Sequence, residues 1–351
     1  MKPQQHISNV GLIILNLLSQ VLFASCDRPS YDVTDSCGTV SFFIEEERTR
    51  ADVSVYGDES VIGTVQLLLF DSEGRLADRD SFSGTGTPYE FDLSPGDYTC
   101  CAFVNLPALP SSVAALSSLD ALYLDYFSSS SFSQRLHPMC GSLSFSVRDG
   151  RQDLTVTVSR YASRYCLKSV ESRFSSADIK LEHVYLTNVQ GGFYYTVGKN
   201  TGFWYSRFGR PDLNMTQADR ITSVNDVKTK EFTYKSLGGV SLSEGRIYTP
   251  STNVLLYAFP NYSSQDMNGW ASNFTERQTR MVLAADISGE KYYYPVNLVN
   301  MHGNTTHDVK FIITRLGSPD PDTFDWVTDD EKDVTIDLGG FENGDDIIIE
   351  F

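Results

Sequence analysis

Apolar residues recur at every second position in short runs along most of this chain, the pattern of half-buried β-strands. Gly38-Thr39-Val40-Ser41-Phe42-Phe43-Ile44 puts Val40, Phe42 and Ile44 on one face and leads into the charged stretch Glu45-Glu46-Glu47-Arg48-Thr49-Arg50. Val65 to Phe70 (VQLLLF) is a near-continuous apolar strand closed by Asp71-Ser72-Glu73-Gly74, which has turn chemistry. Tyr89 to Leu93 alternates, Ser94-Pro95-Gly96-Asp97 supplies a turn, and Tyr98 to Leu106 returns as a buried strand, so the pattern predicts a hairpin. Leu154 to Val158 alternates again. Further strands are predicted over Lys180 to Asn188, Phe193 to Val197, Asn253 to Phe259, Arg280 to Ala285, Tyr292 to Leu298 and Val309 to Arg315. Two more close the chain, at Val334 to Leu338 and Asp346 to Phe351. Helical spacing is found over 111 to 127, where Val113, Leu116, Leu119, Leu122 and Tyr123 share a side.

Many short strands separated by turns predict an all-β chain. The expected architecture is two β-sandwich domains in tandem, of transthyretin-like or Greek-key type, with one short helix in the first. The expected organisation is a signal peptide over 1–25, a lipidated tether and first strand over 26–50, and sandwich domains over 51–160 and 161–351. Composition agrees: with 351 residues, 41% of them hydrophobic, the chain can bury sizeable cores, and 12% aromatics favour pleated surfaces. The formal net charge of −17 disfavours nucleic acid and anionic membrane surfaces, both of which call for a basic face.

The N-terminus adds a compartment. Lys2 precedes a mostly apolar stretch from Ile7 to Ala24, the length of a signal-peptide core, followed at once by Ser25 and Cys26. Leu22-Phe23-Ala24-Ser25-Cys26 resembles a bacterial lipobox, with Phe23 where Leu is usual, and makes Cys26 the expected lipidation site; a plain membrane anchor is the blander alternative. Cys37, Cys100, Cys101, Cys140 and Cys166 remain, an odd number with no metal-binding spacing. Most are expected to act as small buried hydrophobes, with Cys100 and Cys101 on opposite faces of one strand.

No catalytic constellation emerges. His302 and His307 lack further ligands for a metal, and Asp320, Asp322 and Asp325 lack the glycine and terminal glutamate of a calcium loop. There is no nucleophile elbow or phosphate-binding glycine loop. Asn214, Asn261, Asn273 and Asn304 match a glycosylation pattern that carries little weight in a bacterial lipoprotein. Neither an enzyme nor a cofactor is expected.

Taken in order, five features resemble the Bacteroidales fimbrillins, above all shaft subunits of the FimA type and Mfa-like fimbrial proteins. They are the lipobox cysteine with its tether and the strand Gly38 to Glu46; Arg50-Ala51 with Gly57-Asp58-Glu59-Ser60 and the strand Val65 to Phe70; Leu93 to Tyr98 followed by Phe103-Val104-Asn105; Tyr292 to Val296; and Val309 to Pro321 with Asp325-Trp326. The resemblance implies a fimbrial subunit serving adhesion, exported as a lipoprotein to the outer-membrane surface. An arginine-specific surface protease would then cut after Arg50, before Ala51, with Arg48 as the other candidate. Removal of the first strand (Val40, Phe42, Ile44) would open a groove for a C-terminal strand of another subunit. Ile347, Ile349 and Phe351, or Val334, Ile336 and Leu338, carry the matching pattern. The implied partners are other copies, other fimbrial subunits, that protease and an unknown surface receptor.

Two other roles stay open. An anchor subunit would keep its lipid and first strand, and Asp32 to Cys37 slightly resembles the tether of such anchors. A surface glycan-binding lipoprotein would use Phe203-Trp204-Tyr205 or Trp270 as stacking platforms, although such residues more often pack in cores.

Overall fold

The computed structural model describes residues 37–47, 61–84, 88–125, 136–201, 204–205, 232–263, 278–298, 301–319 and 346–350. Nearly every described element is a strand. In the first half these are β1 (Gly38–Glu46), β2 (Thr64–Asp71), β3 (Leu76–Ser83), β4 (Tyr89–Leu93), β5 (Gly96–Val104), β6 (Tyr123–Asp125), β7 (Met139–Val147) and β8 (Gly150–Arg160). The one described helix is α1 (Leu116–Leu119).

These strands form two layers joined at a corner. One layer runs β3-β2-β5-β7, the other β8-β1-β4, and β7 meets β8 through Met139 opposite Arg160 and Cys140 opposite Ser159. Gly141 sits at that corner, where a Cβ would run into the Thr157 carbonyl. Between the layers lies a core of Val40, Phe42, Val65, Leu67, Leu69, Phe91, Cys100, Ala102, Val104, Val156 and Val158.

The predicted hairpin at Ser94 to Asp97 is not one. β4 pairs with β1, whereas β5 pairs with β2 and β7, so this turn carries the chain from one layer to the other. Local turn chemistry reports a reversal of direction; which strands then pair is decided by the core between the layers. The helix is also shorter than the periodicity predicts. Among the described residues of that span only Leu116–Leu119 is helical, and Tyr123–Asp125 is extended and pairs with Gly192–Tyr194. A tertiary partner for that backbone outweighs a weak helical pattern.

β2 is apolar from Leu67 to Phe70 because both of its faces are covered there. Leu67 and Leu69 face the inter-layer core. Leu68 and Phe70 face a second cluster with Cys101, Phe103, Leu106, Val113 and Leu119. Ala162, Phe193, Tyr195 and Phe259 of the second half close that cluster, and the Tyr161 ring stacks on Phe193 at 3.9 Å.

The second half holds β9 (Ser163–Ser172), β10 (Ile179–Thr187), β11 (Val189–Gln190), β12 (Gly192–Tyr194), β13 (Trp204–Tyr205), β14 (Tyr234–Leu242), β15 (Ile247–Tyr248), β16 (Val254–Ala258), β17 (Thr279–Ile287), β18 (Glu290–Leu298), β19 (Thr306–Ile313) and β20 (Asp346–Glu350). One sheet is ordered β14-β10-β17-β18. The other is β15-β9-β19-β20, with β16 also pairing β9. The core between them contains Tyr165, Leu167, Leu181, Leu256, Leu283, Tyr294, Val309 and Phe311.

The described cysteines are free thiols. Cys100, Cys101 and Cys166 are buried and Cys37 is exposed. Cys100 and Cys101 enter different cores, as strand alternation requires. Burial pushes the Cys101 and Cys166 thiols up to about 11, and Cys100 further still. A maleimide at pH 8 is therefore expected to label Cys37 in the folded protein, while Cys100, Cys101 and Cys166 react only after unfolding. Peptide mapping of labelled native protein checks this; rapid native labelling at Cys100 would contradict the packing.

Candidate functional site

The first strand is an interior strand of its layer, although the two strands beside it come much later in the chain. β1 runs antiparallel to β4, with Thr39 opposite Asp92 and Phe42 opposite Tyr89. On its other side it runs parallel to β8 from Gly38 opposite Gly150 to Glu46 opposite Val158. No hairpin joins β1 to either neighbour. Its covalent connection to the rest of the fold leaves through Glu47 towards Arg48, Arg50 and Ala51, which lie outside the described residues.

The strand is held on its inner face by packing. Val40 and Phe42 are fully buried and Ile44 is partly buried. Phe42 meets Phe145 edge-on at 5.4 Å and Phe91 at 5.9 Å. Burial of side chains of this size stabilises by about 1.5–3 kcal/mol each. The outward-facing Phe43 is 36% exposed. At the strand's start Gly38 lies so close to the chain beside it that a Cβ would run into the Arg148 carbonyl. Thr39 Oγ1 donates to Asp92 Oδ1 at 2.8 Å.

Polar contacts hold the far end. Glu46 forms an ion pair with Arg160, and both side chains are largely shielded from solvent. Ser159 Oγ donates to the Glu47 carboxylate, which also accepts from Asn304 Nδ2 at 3.1 Å. The Glu47 amide donates to the Val158 carbonyl at 2.8 Å. Asn304 stands at φ 59°, a left-handed conformation that asparagine tolerates, and its amide donates to the Ala162 carbonyl at 3.0 Å. The loop carrying Asn304 thus touches both the end of β1 and the passage from β8 to β9. The sequence shows Glu46 and Glu47 only as members of a charged stretch; their partners, more than a hundred residues away, leave no local signal.

Ile347 and Ile349 fall in β20, whose backbone pairs in parallel with β19, Val309 opposite Ile347 and Phe311 opposite Ile349. Cys26, Val334, Ile336, Leu338 and Phe351 lie outside the described residues. Trp204 and Tyr205 form β13 against β11, while Phe203 and Trp270 also fall outside. His307 stacks on Tyr165 at 5.1 Å and is held below the usual histidine range by burial. Among the described residues no three His, Cys, Asp or Glu side chains are grouped to hold a metal, and no helix is long and apolar enough to cross a membrane.

Residues 54–206 match the family described as fimbrillin-A associated anchor proteins Mfa1 and Mfa2. Over those residues the chain is similar to that family. The match covers less than half of the chain. No curated protein matches the sequence. Among solved structures, a fimbrilin from Porphyromonas gingivalis W83 shares the fold with a TM-score of 0.55 at 10% identity, covering 91% of this chain and 98% of its own. A protein assigned to cell adhesion from Bacteroides eggerthii DSM 20697 gives 0.55 at 12% identity, covering 82% and 91%. One from Parabacteroides distasonis ATCC 8503 gives 0.53 at 14%, covering 79% and 89%.

The two faces of β1 provide an internal control on its role as a core strand. Phe42→Ala is expected to lower the unfolding free energy by about 3–5 kcal/mol. Phe43→Ala should stay within about 0.5 kcal/mol. Urea denaturation of the two variants distinguishes them, and equal losses would contradict the packing of β1.

Proposed function

We propose that this protein is a structural subunit of a cell-surface fimbria, exported as a lipoprotein through Cys26 and assembled by exchange of its first strand. The observation that carries this reading is the place of β1. It fills an interior position between β8 and β4, yet a single cut after Arg50 or Arg48 would leave it attached by non-covalent contacts alone. Its departure would leave unpaired backbone on both neighbours and an apolar trough lined by Phe91, Phe145, Val156 and Val158. Such a trough suits strand addition, in which main-chain hydrogen bonds supply affinity and alternate side chains fill pockets.

The donor would be a C-terminal strand of a neighbouring subunit. Ile347, Ile349 and Phe351 repeat the alternation of Val40, Phe42 and Ile44, and so do Val334, Ile336 and Leu338. The backbone of β20 lies at the edge of its sheet, bonded to β19 alone among the described strands. An edge strand can leave without breaking the sheet behind it.

A second reading is favoured by one observation, the match of 54–206 to a family described by its anchor proteins. An anchor would keep both Cys26 and β1, with the polar contacts of Glu46 and Glu47 fastening the strand in place.

Intact mass and N-terminal sequencing of protein sheared from cells separate the two. The exchange reading expects a start at Ala51 and no lipid; a diacylated start at Cys26 on assembled fibres would overturn it in favour of the anchor. Deletion of Asp346 to Phe351 is expected to give a folded monomer that does not polymerise. Fibres of normal length from that truncation would remove this strand as the donor.

A further inference from the structure

Both C-terminal runs named above as donors alternate alike in either direction, so their apolar residues do not say which way the strand enters. The start of β1 does. Gly38 is buried and faces inward, in line with Val40 and Phe42. A Cβ at that place would run into the Arg148 carbonyl and stand 2.8 Å from Val147 Cγ1. The obstacle does not leave with β1, because Val147 is buried and its backbone pairs with Gly96 of β5. The place of Gly38 therefore takes a glycine or no residue at all. At the other end departure of β1 uncovers Arg160 to water, so the place of Glu46 sets no comparable limit.

The incoming strand must also fill the two fully buried places, those of Val40 and Phe42. In the direction of β1, Val334 or Ile336 at the place of Val40 brings Lys332 or Val334 to that of Gly38. Ile347 or Ile349 at the place of Val40 brings Asp345 or Ile347 there. Each drives a side chain into the obstacle, or must turn out of the sheet and forfeit the pairing opposite Leu93 and Gly150. In the opposite direction each run has one register without conflict. With Leu338 and Ile336 at the places of Val40 and Phe42, Gly340 falls on that of Gly38. With Phe351 and Ile349 there, no residue of Asp346 to Phe351 reaches it. Resting on the exchange proposed above, we infer that the C-terminal strand of a second copy lies in the groove opposite in direction to β1, in the register that keeps the place of Gly38 free of a side chain. It then runs antiparallel to β8 and parallel to β4. β8 pairs with β1 along its whole length and β4 only from Gly38 to Phe42, so reversal makes the longer ladder antiparallel. Antiparallel pairing is slightly more stable per residue, which favours replacement over return of the first strand.

The test uses the whole chain carrying Cys37→Ser and Asp92→Cys, with a site-specific protease sequence in place of Arg48 to Ala51, folded and then cut in solution. Asp92 stands opposite the place of Thr39. Peptides spanning 331–340 and 342–351 are added in excess in a glutathione buffer, each in two cysteine forms. The reversed strand brings Gly339→Cys, or a cysteine appended after Phe351, to Asp92→Cys. A strand in the direction of β1 brings Asp333→Cys or Asp346→Cys there instead. Mass spectrometry is expected to find coupling through one or both of the first two, according to which run is the donor. Where 331–340 enters, Gly340→Val is expected to bind at least about tenfold more weakly and Lys332→Val within about twofold of the native peptide. Coupling through Asp333→Cys or Asp346→Cys, or a Gly340→Val peptide that binds like the native one, overturns the reversed direction and leaves the exchange reading standing. If no peptide couples in any form, the exchange reading fails and this inference with it.

Discussion

The side chains of Val40 and Phe42 enter a core that the strands on either side of β1 cannot fill by themselves. β4 and β8 are bonded to β1 on opposite edges and not to each other, so this strand is what makes them one layer. The opposite layer, β3-β2-β5-β7, depends on that layer for the burial of Leu67, Leu69, Cys100 and Ala102. Its other face, through Leu68, Phe70, Cys101 and Phe103, packs on Phe193, Tyr195 and Phe259. Stability of the first half and its seating on the second therefore both lead back to whether the β1 place is occupied.

Such a strand can be indispensable in place yet separable by topology. Hairpin strands are tied to their partners by short loops; β1 has no such tie, and it enters beside strands that begin at Tyr89 and Gly150. An empty place would expose apolar walls and unpaired backbone together, and both costs push towards refilling it. Glu46 and Glu47 add a polar lock at one end, reaching through Arg160, Ser159 and Asn304 to the junction between the halves.

Strands with strong alternation or continuous apolar runs were legible in the sequence: β1, β2, β4, β10, β17, β18 and β19 stand close to their predicted spans. β3 (LADRDSFS) was not, because it is an edge strand whose outward residues are polar and whose place comes from pairing with β2. β7 (MCGSLSFSV) and β14 (YKSLGGVSL) are diluted by serine and glycine in the same way. The turn at Ser94 to Asp97 was legible as a turn and not as a crossing between layers, since periodicity carries no information about which strand lies beside which. At the candidate site the apolar face of β1 was readable residue by residue. Its ion pair was not, because Arg160 and Asn304 are brought to Glu46 and Glu47 only by the completed fold.

The claim at the centre is that β1 must leave for subunits to join. Thr39 and Asp92 are cross-strand partners whose side chains already touch, so a disulfide at this pair would fasten β1 to β4. The measurement is polymerisation of Thr39→Cys/Asp92→Cys on a Cys37→Ser background, with and without reductant, after the arginine cut. The account predicts monomers while the disulfide is intact and fibres once it is reduced. Fibres of normal length with the disulfide fully formed would contradict it.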